Sequence, residues 1–319
     1  MKRINSITVL YNLPELSDES DTDTQKSAQR VAEELKRYYD VRILGIDSND
    51  IGNLMNLKTD FVFNLVEWSG LNSQWGVKVI ETLEKAGLPY SGSNSWGYWL
   101  SCNKKIMKEE MDKKNIPTPR WFVNEGKLKF PVIVKPVLEH CGIGISQTSV
   151  CYNDQDTRNK VQEMMEKYKQ PVLVEEYIDG RELHVTILEK NGEPWVLPPA
   201  EVIYEKKEGH VPILSYEMKW NEKSEEYKMA RMQVAKLDKR LEKEVGRIAK
   251  KCYLELGGRD YPRLDLRIRD NEIFVLEINN NPGIDYDVES GIGVSARAVS
   301  LNWEDLLKHI VENAWRRFV

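Results

Sequence analysis

Apolar and polar residues alternate with period two along Arg263-Leu264-Asp265-Leu266-Arg267-Ile268 and again along Ile273-Phe274-Val275-Leu276-Glu277-Ile278. That period predicts two strands of an antiparallel hairpin. Pairing apolar with apolar sets Leu264 against Ile278, Leu266 against Leu276 and Ile268 against Phe274, around a loop at Asp270-Asn271-Glu272. Elsewhere the pattern alternates strands with helices. Residues 7–10 read as a strand, 22–39 as an amphipathic helix with Ala28, Val31, Ala32 and Leu35 on one stripe, 41–46 and 61–66 as strands, and 74–86 as a helix ended by Gly87. After the turn-rich Pro89-Tyr90-Ser91-Gly92-Ser93-Asn94 come a helix at 101–114, a strand at 131–135, a glycine-bearing loop to Ser146, a helix at 154–167 and a strand at 172–176. A long strand from Asp179 to Leu188, a polar excursion at 205–226, a helix at 237–256 and a final helix at 303–315 complete the chain. Three units are expected: a small α/β domain over 1–94, a central unit over 95–178 and a C-terminal unit over 179–319.

Composition narrows the class. The chain has 319 residues, 41% hydrophobic and 30% charged, enough for several domains with a sizeable core. Its net charge of −5 gives no basic excess, so no nucleic-acid partner is expected. No run approaches the roughly 18 apolar residues of a membrane span. The N-terminal apolar run is short and meets Asn12, Pro14 and Glu15, unlike a signal peptide. Cys102, Cys141, Cys151 and Cys252 lack CxxC spacing, and the four histidines are scattered. Reduced thiols and a cytoplasmic protein follow as expectations.

The hairpin register also carries chemistry. On its second face it sets Asp265 opposite Glu277 and Arg263 opposite Asn279. Directly opposed like charges repel. Two carboxylates beside an amide oxygen make sense around a hard cation such as Mg²⁺, the alternative being an ordinary solvated face. There is no GxxxxGK[ST] or GxGxxG motif. Instead Val132-Ile133-Val134-Lys135-Pro136 is an apolar strand ending in a lysine, followed by Gly142-Ile143-Gly144-Ile145-Ser146. Such a lysine reaches anionic oxygens while the glycines let backbone N–H groups approach them; otherwise Lys135 snorkels to solvent and the glycines make a turn. The strand Val172-Leu173-Val174-Glu175-Glu176 running into Tyr177-Ile178 suits backbone reading of an adenine edge, with Glu182 placed to accept ribose hydroxyls or to be an exposed strand residue.

Together, Lys104, the 132–136 strand, Glu175-Glu176-Tyr177-Ile178, Gly180-Arg181-Glu182, Arg263-Leu264-Asp265 and Glu277-Ile278-Asn279-Asn280-Asn281-Pro282-Gly283 resemble the ATP-grasp ligases, and most closely their D-alanine–D-alanine ligase branch. Gly87-Leu88-Pro89-Tyr90-Ser91-Gly92-Ser93 also resembles that branch. The resemblance covers about residues 75–295 and implies an α/β (α+β) ATP-grasp fold. It implies that Lys104 and Lys135 bind ATP phosphates, beside the loop candidates Gly142, Gly144 and Ser146 read from the residues, that Glu175, Glu176, Tyr177 and Ile178 hold adenine, and that Glu182 holds ribose. It further implies that Asp265, Glu277 and Asn279 ligate two Mg²⁺ ions, with Mn²⁺ as the alternative. Lys219 stands where the family has another phosphate-binding lysine on a mobile loop; Arg263 and the N–H of Gly283 stand where it stabilises the tetrahedral intermediate. The implied reaction joins a small-molecule carboxylate to an amine through an acylphosphate, which needs charge neutralisation and alignment rather than a nucleophilic side chain. The resembling family is commonly dimeric.

The substrate half departs from that family. Its glycine-rich first turn is replaced by Leu10-Tyr11-Asn12-Leu13-Pro14-Glu15, its His-Gly and Glu-Asp-Gly pattern by Phe63-Asn64-Leu65-Val66-Glu67-Trp68-Ser69-Gly70, and small loop residues by His140-Cys141. In place of its Ser-Leu acceptor clamp stands Ile284-Asp285-Tyr286-Asp287-Val288-Glu289. Added carboxylates favour an amine or cationic acceptor over an anionic tail, unless the run is a solvated loop. Glu67 is a replacement anchor for an amine, and Trp68, Trp75, Trp96 and Trp99 form either an aromatic wall or first-domain core. The expected function is a D-alanine–D-alanine ligase-like carboxylate–amine ligase with a different substrate. The alternatives are a D-alanine–D-alanine ligase proper, an ATP-grasp kinase, or a non-catalytic ATP-binding protein.

Overall fold

The computed structural model describes residues 3–13, 19–284, 287 and 290–319. Three sheets follow in chain order. The first is parallel, with β1 (Ser6–Asn12) between β2 (Asp40–Ile46) and β3 (Phe61–Asn64). Helix α1 (Glu19–Leu35) covers it through the expected stripe, Ala28, Val31, Ala32 and Leu35, all fully buried. β3 stops two residues earlier than its apolar run predicts. The Asn64 side chain accepts a hydrogen bond from Val66 N at 3.2 Å and bends the chain out of the ladder. Helix α2 (Ser73–Lys85) follows.

The single helix expected over 101–114 is two, α3 (Ser95–Cys102) and α4 (Lys104–Lys113). Asn103 breaks it: its backbone is extended, and its side chain caps α4 by accepting from Ile106 N at 3.2 Å. The second sheet is antiparallel, in the order β4 (Trp121–Val123), β7 (Val172–Glu176), β5 (Val132–Pro136), β6 (Val150–Cys151). Helix α5 (Asp154–Tyr168) packs Val161 and Met164 on Val132, Val134, Val172 and Val174.

The third sheet runs β11 (Ala230–Val234), β10 (Ala200–Tyr204), β8 (Arg181–Lys190), β12 (Arg263–Arg269), β13 (Glu272–Asn279), with β9 (Glu193–Val196) paired to β8. Strands β9 to β11 have no counterpart in the pattern reading, because they are short and the polar stretch between β10 and β11 masks them; α6 (Tyr216–Trp220) lies inside that stretch. One face of β8, β12 and β13 is apolar. Leu183, Val185, Ile187, Leu264, Leu266, Val275 and Ile278 pack there against the stripe of α7 (Lys239–Glu255). Helices α8 (Gly291–Ala298) and α9 (Trp303–Arg316) close the chain, α9 sharing a core with α1.

The hairpin register holds for three pairs, Arg263 with Asn279, Leu264 with Ile278 and Asp265 with Glu277, and then shifts. A bulge between Asp265 and Leu266 pairs Leu266 with Val275 and Ile268 with Ile273. The extra residue is Leu276, which leaves the core and lines a cavity on the polar face.

Candidate active site

The polar face of the third sheet is laid out in rows across the strands. Glu182 on β8 pairs with Arg267 on β12; His184 with Asp265, and Asp265 with Glu277; Thr186 with Arg263, and Arg263 with Asn279. The alternation that buries Leu183, Val185, Leu264 and Leu266 on one side fixes these groups on the other.

In the first row, Glu182 Oε2 accepts from Arg267 Nε at 3.1 Å and from the Tyr204 hydroxyl at 2.8 Å. Burial alone would raise the Glu182 carboxyl, but Arg267 and then His184 hold it far below the usual range. Arg267 also donates to the carbonyls of Ile178, at 2.9 Å, and Pro212, and lies 5.1 Å from the Tyr177 ring centroid. It thus ties the 175–178 linker to the polar excursion.

In the second row Asp265 and Glu277 face each other, and His184 Nε2 stands 3.9 Å from both Glu182 Oε1 and Asp265 Oδ2. Against the effect of burial, Arg263 lowers the Asp265 carboxyl and Lys104 the Glu277 carboxyl, so both stay ionised. In the third row Arg263 grips Asp265 with two bonds, and Asn279 Oδ1 accepts from Asn281 N at 3.1 Å. Asp265, Glu277 and Asn279 offer oxygen donors only. Each carboxylate keeps lone pairs beyond its protein partners, and that donor set fits a hard divalent cation.

The central sheet adds the cations. Glu175 is buried between Lys135, which pairs with Oε1, and Lys108, whose Nζ is 2.9 Å from Oε2. Burial would raise this carboxyl, but Lys108 and Lys135 bring it down to about 2. The Glu175 side chain therefore braces Lys135 from behind. Glu176 turns to Arg269 Nη2 at 2.9 Å, while Tyr177 and Ile178 are buried. Lys108 escaped the sequence reading. Its signal is the four-residue spacing from Lys104, which puts both on one face of α4. Lys104 donates to the Glu139 carbonyl.

The glycine-bearing loop turns through Cys141 and Gly142 at φ of +55° and +81°. Gly142 faces the cavity. Gly144 packs on Pro136, where a Cβ would come within 2.7 Å, and the Ser146 hydroxyl bonds Thr148 Oγ1 at 3.0 Å; neither of these two lines the two cavities beside the site. Helix α6 lies over this loop. Tyr216 N donates to Ile145 O at 3.0 Å and Trp220 Nε1 to Cys141 O at 2.9 Å, which brings Lys219 between them to the cavity wall.

Two adjoining cavities result. A small one of about 100 Å³ is lined by Lys104, Lys135, the 175–178 linker, Glu182, Asp265, Arg267 and Leu276. A larger cleft of about 1120 Å³ is lined by Glu67, Arg263, Asn279, Gly283, Ile284 and Ile292 among others. Glu67 Oε1 is 3.8 Å from Cys141 Sγ. Trp68 and Trp75 pack into the N-terminal core, as the first-domain packing reading expects, and Trp96 is exposed. Pro14 and Glu15, and Asp285, Tyr286, Val288 and Glu289 of the acidic run, lie outside the described residues; Asp287 Oδ2 is 3.2 Å from Arg30 Nη1. Among the described residues no helix is long and apolar enough to cross a membrane.

A family model for the D-ala D-ala ligase C-terminus matches residues 104–312. An uncharacterized protein of Sinorhizobium fredii is 34% identical over 265 residues, covering 81% of this chain and 75% of that protein. The D-alanine–D-alanine ligase of Fervidobacterium nodosum is 26% identical over 315 residues, covering 92% of this chain and 94% of the relative. The crystal structure of D-alanine–D-alanine ligase from Bacillus anthracis complexed with ATP superposes with a TM-score of 0.78 at 22% identity, covering 98% of both chains. The α/β architecture is therefore that of the ATP-grasp fold over the whole chain, and with two thirds of its sequence matched by the family model the chain belongs to the D-alanine–D-alanine ligase family.

Proposed function

We propose that the chain is an ADP-forming carboxylate–amine ligase, in which ATP phosphorylates a carboxylate and an amine then displaces phosphate to form an amide. The observation that supports this most is the set of rows across β8, β12 and β13, which runs from Glu182 beside the small cavity to Arg263 beside the larger cleft. In this reading the units 95–178 and 179–319 clamp ATP and 1–94 contributes to the substrate cleft. The linker 175–178 and Leu276 enclose adenine, and Glu182, held by Arg267 and Tyr204, accepts the ribose hydroxyls. Lys104, Lys135 and Lys219 neutralise phosphate oxygens, with Gly142 leaving room for their approach. Asp265, Glu277 and Asn279 would hold two Mg²⁺ ions, or Mn²⁺ in their place, and when bound these clamp phosphate oxygens for in-line transfer. Arg263, oriented by Asp265, and the Gly283 N–H stabilise the oxyanion of the amide-forming step.

The acceptor in this reading is an amine other than D-alanine. Glu67 and a cleft of about 1120 Å³ support it, together with the missing Ser-Leu clamp. Phosphate release with ATP and Mg²⁺ across D- and L-amino acids and small amines, with product masses, tests both parts. ADP, phosphate and a new amide are expected. Efficient D-alanyl-D-alanine formation would make the chain a D-alanine–D-alanine ligase proper, and nucleotide binding without turnover on any pair would favour a non-catalytic role.

A further inference from the structure

Among the described residues, six line both cavities: His140, Cys141, His184, Leu214, Lys219 and Glu277. If the ligase reading holds, the γ-phosphoryl group crosses from nucleotide to carboxylate at this partition. Leu214 has no polar side-chain atom, and the Cys141 thiol is turned to Glu67. His184 stands between two carboxylates at 3.9 Å, Glu277 is itself an anion, and Lys219 already supplies charge. His140 is different. Its Nε2 is buried and makes no hydrogen bond among the described residues. A buried polar atom left unpaired is costly, and that cost is tolerable where a ligand completes it.

The backbone explains how the residue is placed. His140 O accepts from Ile143 N at 2.9 Å, closing a turn whose inner residues, Cys141 and Gly142, both have positive φ. Trp220 clasps the same turn through Cys141 O. The loop is thus pinned from two sides, and α6 closes over it. We infer that His140 is a further catalytic residue, whose Nε2–H donates a hydrogen bond to the transferring phosphoryl group at the partition between the two cavities. Burial, reinforced by Lys104, brings the ring down to about 3, so it acts as a neutral donor and not as an acid. A neutral donor suits a loose transition state whose charge is spread over three equatorial oxygens and already faces several lysines.

The test compares two probes by calorimetry on the whole protein: Mg²⁺–AMP-PNP, which reads ground-state nucleotide binding, and Mg²⁺–ADP with aluminium fluoride, which mimics the group in flight. His140→Ala should weaken the fluoride complex about 10²-fold, the usual cost of one preorganised donor, and leave AMP-PNP within about twofold. His140→Gln, which keeps an N–H donor, should recover part of the loss, and the wild-type advantage should be flat between pH 6 and pH 8.5, about where a neutral ring requires it. Equal losses for both probes, no loss, or tighter AMP-PNP binding by the alanine variant would each overturn the assignment. Failure of the wild type to bind Mg²⁺–AMP-PNP would instead overturn the ligase reading beneath it.

Discussion

Arg263 and Asp265 stand two residues apart on β12 and meet side by side, Nε to Oδ1 at 2.7 Å and Nη2 to Oδ2 at 2.8 Å. Alternation puts both on the polar face, and the planar fork of the guanidinium matches the carboxylate. The pair has two effects. It fixes Arg263 toward the cleft, and it leaves Glu277, across the sheet, as a carboxylate with no ion pair within 4.0 Å among the described residues.

Glu277→Gln removes one of two facing charges. Turnover should fall on the order of 10²-fold or more, as for loss of a metal-site group. The protein should stay folded with a lower melting temperature, because Lys104, Lys135 and Lys219 outweigh the repulsion from Asp265 and hold this carboxyl below its usual range, so its charge supports the fold. Full activity in a phosphate-release assay would sink the metal assignment, and a collapsed melting curve would make Glu277 structural.

Glu175 is the counter-charge for the buried Lys108 and the half-buried Lys135. Replacing it with Gln strands Lys108 and Lys135 and should cost about 3–5 kcal/mol in urea unfolding. Its carboxyl is depressed on folding, from 4.5 to about 2. The stability it supplies is therefore complete above pH 4.5 and is lost as pH falls toward 2. Acid unfolding of the wild type should show this loss and the Gln variant should lack it; parallel acid curves would contradict the role.

Leu266 and Leu276 look equivalent in sequence and are separated by the bulge. Leu266→Ala should cost about 2–5 kcal/mol, as in other buried leucines, with nucleotide affinity kept in whatever fraction stays folded. Leu276→Ala should cost well under half of that and raise the Kd for ATP several-fold. Equal destabilisation by the two, measured in denaturant melts, would put Leu276 back in the core.

Trp220 holds α6 to the glycine-bearing loop through one indole N–H. Trp220→Phe keeps the ring and removes that bond. The 205–226 stretch should become more open to protease, and nucleotide with Mg²⁺ should protect it less than in the wild type. Cleavage rates indifferent to nucleotide in both proteins would rule out a lid.

The sequence by itself determined the alternation that makes β12 and β13, the pairing of Asp265 with Glu277 and Arg263 with Asn279, and the stripes of α1 and α7. Each is a local periodicity tied to burying one face. It also carried the family, because Lys135, Glu182 and the 277–283 run are contiguous motifs. Only the tertiary structure decided what depends on partners far along the chain. Glu175 braces Lys135 because Lys108, sixty-odd positions earlier, arrives behind it. Arg267 serves Glu182 because β8 and β12 are neighbours. Leu276 faces the small cavity because one extra residue inverts every side chain beyond it, a shift that no apolar pattern registers. His140 stands at the partition because a turn of two left-handed residues carries it there, and its Nε2 is buried, a property that exists only once the chain has folded.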